Sequence, residues 1–281
     1  MEIKINGQAA DITIDNEKTV GEIIAGLDEF LANCGHRLSG LAIDSQAIDI
    51  SLMEEAFLRE INNIKKIDLY THSLAELFAL SLLDLLDDIE EYETLNLEDK
   101  NKFYESWKER ACAKFAAEQM PDLFSLYVSA FCDGSIELRV LYSITEERLR
   151  EVKEPEQELA NIKSPIEEIC ARLVDLPLDI QTGKDRRAAE TIQIFTGITE
   201  KIFRILRQLD TQGFTQNIKE EETVVKLLGD FNLAVRELLQ AYEKQDTVLV
   251  GDLAEYEIAP RLEELYNTIT KNSRKKAAGA Q

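Results

Sequence analysis

The chain has 281 residues and is 44% hydrophobic, enough apolar material for a real core and too much for a disordered polypeptide. Its 32 lysines and arginines stand against 54 aspartates and glutamates, a net charge of −22. That charge repels phosphate backbones and anionic lipid headgroups, which sets aside nucleic acid and membrane surfaces as partners for the body of the protein. Cysteines 34, 112, 132 and 170 are scattered among apolar neighbours with no close pair, and read as reduced, buried thiols. The N-terminus MEIKING lacks a basic region followed by an apolar run. The most apolar segment, Leu74 to Leu86, is interrupted by Glu76 and Asp84 and is too short to span a bilayer. A cytoplasmic protein is expected.

Residues 2–14 read as a β-hairpin. Ile3 and Ile5 alternate with Lys4, Asn6-Gly7 supplies turn residues that tolerate positive φ, and Ile12 and Ile14 alternate with Thr13. Thr19 and Glu22 form a capping box opening a helix with apolar positions at Val20, Ile23, Ile24, Leu27, Phe30 and Leu31, which Gly35 stops. Leu38 to Ile43 and Ile67 to Tyr70 read as two further strands. This order of strand, strand, helix, strand, strand over residues 1–72 resembles the ubiquitin-like β-grasp fold. The resemblance implies a fused module that docks through one sheet face; a small α+β cap over the helical part is the other reading. The family's conjugating and sulfur-carrier members use a free C-terminal Gly-Gly, whereas Lys66 to His72 here runs straight into a helix.

Ser73 and Glu76 form a second capping box, at the expected domain boundary. The helix they open is apolar almost all round (Leu74, Leu77, Phe78, Leu80, Leu82, Leu83, Leu85, Leu86, Ile89) and is expected to be buried. Phe103, Trp107, Ala111 and Phe115 recur every four residues until Pro121, after which Leu123, Leu126, Tyr127, Ala130 and Phe131 resume the pattern up to a turn at Asp133-Gly134. Residues 135–144 alternate as a strand would and also suit a helix; their helical neighbourhood favours helix. Three stripes at heptad-like spacing then follow. These are Leu159, Ile162, Ile166, Ile169, Leu173; then Phe195, Ile198, Ile202, Ile205, Leu209; then Val224, Leu227, Phe231, Ala234, Leu238, Ala241. Joined by short polar segments, they argue for an antiparallel helical bundle. Ser164-Pro165-Ile-Glu167 reads as a helix start inside the first stripe, and Pro260 should bend the last helix near Ala259. The expected organisation is α+β: a β-grasp module at 1–72, a larger all-α antiparallel bundle at 73–272, and a basic disordered tail at 273–281.

No residue pattern in the chain carries a catalytic signature. Cys34-Gly-His36 and His72 lack the ligand count of a zinc site, and the acidic run from Asp84 to Asp99 lacks the spacing of a calcium loop. Thr182-Gly183-Lys184 echoes the end of a phosphate loop but lacks its upstream glycine, and Asp185 stands where Ser or Thr belongs. One oddity remains. Lys184, Arg186 and Arg187 crowd the start of the Phe195 helix, where positive charge opposes the helix dipole. Cations beside free backbone N–H groups suit an anion; carboxylates such as those from Glu154 to Glu158 would serve the same cations internally. The reading is therefore a non-enzymatic cytosolic adaptor, chaperone or assembly factor that needs no cofactor or metal and binds another protein. Its acidic helices resemble secretion and flagellar export chaperones in general character, and homo-oligomerisation stays open. The competing reading is a ligand-binding or enzymatic helical domain with an anion at Lys184, Arg186 and Arg187.

Overall fold

The computed structural model describes residues 1–10, 12, 14, 16–211 and 218–279. Strands β1 (Glu2–Ile5), β2 (Gln8–Ala9), β3 (His36–Ile43), β4 (Gln46–Ala47) and β5 (Lys66–Ser73) form one sheet in the order β2-β1-β5-β3-β4. The central pair β1 and β5 is parallel, with Ile3 opposite Ile67, and the other pairs are antiparallel. Helix α1 (Val20–Asn33) starts at the Thr19–Glu22 capping box, with both reciprocal hydrogen bonds made. Its Val20, Ile23, Ile24, Leu27 and Leu31 pack against Ile3, Leu41, Ile43, Ile67 and Leu69 of the sheet. Phe30 lies at the edge of that stripe and is 58% exposed, against expectation. The first 73 residues are thus a mixed five-stranded sheet with one helix packed on it.

The hairpin turns at Asn6 (φ 50°) and Gly7 (φ 81°), as the Asn-Gly pair requires. Its second strand ends at Ala9, however, and does not run on to Ile14. Ile12 N–H bonds back to Ala10 O at 3.1 Å, curling the chain off the sheet edge, and Ile12 and Ile14 drop onto the core as half-buried plugs. Thr13 lies outside the described residues. A short helix, α2 (Met53–Phe57), belongs to the β4–β5 connection.

Beyond the sheet the described chain is helical: α3 (Leu74–Thr94), α4 (Leu97–Trp107), α5 (Ala111–Gln119), α6 (Pro121–Cys132) and α7 (Leu138–Lys153), then α8 (Pro155–Asn161), α9 (Lys163–Gln181), α10 (Asp185–Thr211), α11 (Ile218–Glu243), α12 (Thr247–Asp252) and α13 (Ala259–Gly279). The chain divides into two compact units, Met1–Thr145 and Glu146–Gln281, so the helices expected as a single bundle from residue 73 to 272 are split inside α7. The early helices group with the sheet for a local reason. β5 passes into α3 without a loop, the Ser73–Glu76 capping box is formed, and Leu74 N–H bonds to Gly35 O at 2.8 Å beside β3.

In the first unit α3 buries Phe78, Leu82, Leu85, Leu86 and Ile89, but Leu80 and Leu83 face solvent, so it is less enclosed than its composition suggests. The four-residue repeat from Phe103 to Phe115 is broken before Pro121, between Trp107 and Ala111. There Arg110 leaves the helical path and forms ion pairs with Asp88 and Glu91. Trp107 is fully buried, stacked on Tyr127 and Phe124 at 5.6 and 5.5 Å between ring centroids. Residues 138–144 are helical, as their neighbourhood favoured.

In the second unit all three stripes face inward. Ile166, Ile169, Leu173, Phe195, Ile202, Ile205, Phe231 and Leu238 belong to one core, joined by Ile258, Leu262 and Ile269 from the end of the chain. Helix α9 begins at Lys163, one residue ahead of the expected cap. Ile162 links it to α8, and Pro165 falls in the first turn, where its missing N–H would have had no partner anyway. Pro260 acts through a π-helical segment, Leu253–Ile258, in which Ala259 N–H reaches back five residues to Ala254 O. Helix α13 runs to Gly279, so the tail expected to be disordered from residue 273 is helical there. Its Lys, Arg and Ala are strong helix formers continuing a helix already nucleated. Residues 280–281 lie outside the described residues.

Candidate functional site

The expected cation cluster sits where α9 turns into α10. The turn is a Schellman motif: Lys184 N–H bonds to Asp179 O at 2.8 Å and Gly183 N–H to Ile180 O at 3.1 Å, with Gly183 at φ +70°. The motif aims the side chains of Lys184 and Arg187 back along α9. Lys184 Nζ lies 3.2 Å from Asp179 Oδ1. Arg187 donates from its terminal nitrogen to Asp175 Oδ2 at 3.2 Å, while its Nε sits 3.0 Å from Asp179 Oδ2 as an ion pair without hydrogen-bond alignment. Arg186 points outward and pairs with Glu190 one turn on, at 3.1 Å. All three cations are thus matched by carboxylates of the chain itself, but by Asp175, Asp179 and Glu190 and not by the Glu154–Glu158 group. Asp179 is 1% exposed, a buried carboxylate flanked by the two cations.

Beside this turn an open cleft of about 460 Å³ separates α9 and α10 from the α11–α12 connection. Leu176, Ile180, Ala188, Ile192 and Val250 form its walls; Asp185, Ala189, Tyr242, Gln245 and Thr247 complete the lining. Its lining is mostly apolar with a few polar groups. Asp185, at the first position of α10, has no ion pair or hydrogen bond from its side chain among the described residues. Gln245 holds a left-handed conformation at φ +56°, uncommon for a residue with a side chain. The contact between α9 and α12 is tight. Pro177 lies inside α9 and presses on Gly251 of α12, where a methyl group would come within 2.8 Å of the Pro177 ring. The basic turn was visible in the sequence. The cleft was not, because its walls come from three separated segments.

A second charged group joins α7, α8 and α10 within the second unit. Glu151, 2% exposed, receives both Nε and a terminal nitrogen of Arg204 at 2.8 and 2.9 Å, with Arg148 3.9 Å away. Lys201 bridges Glu147 and Glu158 at 2.6 and 2.9 Å, and Arg150 approaches Glu158 at 3.8 Å. Burial pushes the Glu151 carboxyl up to about 7, outweighing the cations around it. The spacing of Glu147 with Glu151 and of Lys201 with Arg204 puts each pair on one helix face, a signal the sequence carried.

In the first unit the acidic run is partly spoken for. Asp88 is 3% exposed and accepts from Trp107 Nε1 at 2.8 Å, from Arg110 and from the Cys112 thiol at 3.3 Å. Glu91 takes Arg110 at 2.7 and 3.1 Å. Asp84 is shifted upward by burial and by the neighbouring charges of Asp88 and Asp87. Among the described residues no cluster of His, Cys, Asp or Glu could hold a metal ion. His36 Nδ1 is 3.4 Å from Thr71 Oγ1, and His72 approaches Glu76 at 3.8 Å. All four cysteines are free, but only Cys112 is fully buried and Cys170 partly so; Cys34 and Cys132 lie at the surface. Burial pushes Cys112 up to about 12 and Cys170 to about 11.

Residues 1–73 match the family model of the TP0873 N-terminal domain, which ends at the residue where β5 gives way to α3. Residues 157–268 match that of a domain of unknown function, DUF8042, and lie wholly within the second unit. No curated protein and no solved structure matches the chain. Among the described residues no helix is long and apolar enough to cross a membrane.

Proposed function

We propose that the protein is a non-enzymatic binding protein, an adaptor, chaperone or assembly factor, whose second unit receives an apolar anchor of a partner protein. The observation that carries this reading is the cleft at Leu176, Ile180, Ala188, Ile192 and Val250, apolar and open to solvent at Tyr242. A buried aliphatic or aromatic anchor in such a cleft is how protein partners gain most of their affinity. The cations beside it are paired internally, which favours this over an anion-binding role for Lys184, Arg186 and Arg187. Four free cysteines suit a reducing compartment, and we assign the protein to the cytosol on that ground.

The test is photo-cross-linking in the source cell with benzoylphenylalanine in place of Tyr242 at the cleft rim, or of the exposed Glu237 as control. A discrete protein adduct at position 242, absent at 237 and lost when Ala189→Trp blocks the cleft, is expected. Identical adducts at both positions, or none at 242, would end the proposal.

A further inference from the structure

We infer that the anchor is basic as well as apolar: an aliphatic segment of the partner protein carrying a Lys or Arg whose cation is met by Asp185. This rests on the proposed binding role of the cleft and adds the chemistry of what enters it. Asp185 is the only charged residue in the lining, and among the described residues its carboxylate has no cation. It stands at the first position of α10, the end of a helix where the dipole favours negative charge.

The neighbouring cations cannot serve it without giving up existing partners. Lys184 and Arg187 hold the buried Asp179, and Arg186 holds Glu190. Drawing Lys184 or Arg187 toward an incoming anion would take one of the two cations from the Asp179 carboxylate, which is 1% exposed. An anion entering the cleft would also meet Asp185 as a like charge. A cation on an aliphatic stem satisfies both surfaces at once, the stem against Ile180, Ala188 and Ile192 and the charge against Asp185. The chain's net charge of −22 attracts such a partner from a distance.

The test uses the full chain and three fluorescein-labelled, end-blocked peptides of one length and leucine content, differing only in whether two positions are lysine, glutamine or glutamate. Fluorescence anisotropy should rank lysine first, about fivefold tighter than glutamine, the yield of one partly shielded ion pair. Asp185→Asn should bring the lysine-to-glutamine ratio down to about one. Ala189→Trp should weaken all three. The inference is overturned if glutamate or glutamine binds as tightly as lysine. It is equally overturned if the ratio survives Asp185→Asn, since general attraction to an acidic protein then accounts for it. Should none of the peptides bind while position 242 still cross-links a protein, this inference fails and the binding role stands. Hexylamine is the small-molecule arm. If it binds in an Asp185-dependent way while position 242 captures no protein, the occupant is a free amine, and both the protein-borne anchor and the proposed binding role are wrong.

Discussion

Gln245 holds its backbone at φ +56°, where a β-carbon crowds the carbonyl and glycine or asparagine is the usual occupant. Asp246 N–H bonds to Ala241 O at 2.9 Å and Gln245 N–H to Tyr242 O at 3.0 Å, so this residue is the left-handed cap that ends α11. Gln245→Gly should therefore raise stability by about 1 kcal/mol in urea unfolding. If the amide is kept for what enters the cleft, the same variant should bind the lysine peptide more weakly while melting higher. A variant that loses stability would show that the Gln245 side chain holds the cap in place. The basic turn teaches a related point at this scale. Lys184, Arg186 and Arg187 stood out in the sequence because three cations at a helix start break a local rule. The partners of Lys184 and Arg187 did not, because Asp175 and Asp179 precede them on the other arm of a helical hairpin. That pairing depends on the left-handed residue at Gly183, whose geometry reverses the chain.

Pro177 is the counterpart among elements. Proline inside a helix removes one hydrogen bond and crowds the preceding turn, yet α9 continues past it to Gln181. What lies against it is α12, whose Gly251 leaves room for the ring. Gly251→Ala would put a methyl 2.8 Å from Pro177 Cβ and 3.1 Å from its Cα, and is expected to cost about 1–3 kcal/mol by overpacking; an unchanged melting temperature would mean that the two helices separate freely. The heptad stripes were readable because each burial pattern lies within one helix. The Pro177–Gly251 fit was not, since it joins positions 74 residues apart. The charged seam between α7 and α10 makes a prediction of its own. Glu151 titrates near 7 when folded and near its ordinary 4.5 when unfolded. Between these values the folded protein keeps a proton that the unfolded chain has lost. This contribution is fully present below about pH 4.5 and is lost as pH rises through 7, to the extent of about 3 kcal/mol at most. Urea unfolding at pH 5, 6, 7 and 8 should show the parent losing stability relative to Glu151→Gln as pH rises. A difference that grows toward low pH would mean that Arg204 governs the carboxyl and burial does not.

The molecule as a whole carries one tryptophan, and it lies in the first unit. Trp107 is fully buried among Phe124, Tyr127 and Phe131, so its fluorescence reports that unit, whereas helical circular dichroism reports both. Charge is also unevenly divided: residues 1–145 hold 28 acidic and 12 basic side chains, and residues 146–281 hold 26 and 20. The first unit therefore bears the greater self-repulsion and should gain more stability from added salt. Because the core around Ile202 consists of residues from the second unit alone, a defect there should stay there. Ile202 is 1% exposed, and Ile202→Ala should cost about 2–5 kcal/mol through lost burial and the cavity left behind. In urea, the dichroism transition should shift to lower denaturant and broaden or split, while the midpoint of Trp107 fluorescence stays where it is in the parent. Salt should raise both midpoints, the fluorescence midpoint more than the dichroism midpoint. If Ile202→Ala instead drags the fluorescence midpoint down by the same free energy, the two units unfold as one cooperative body.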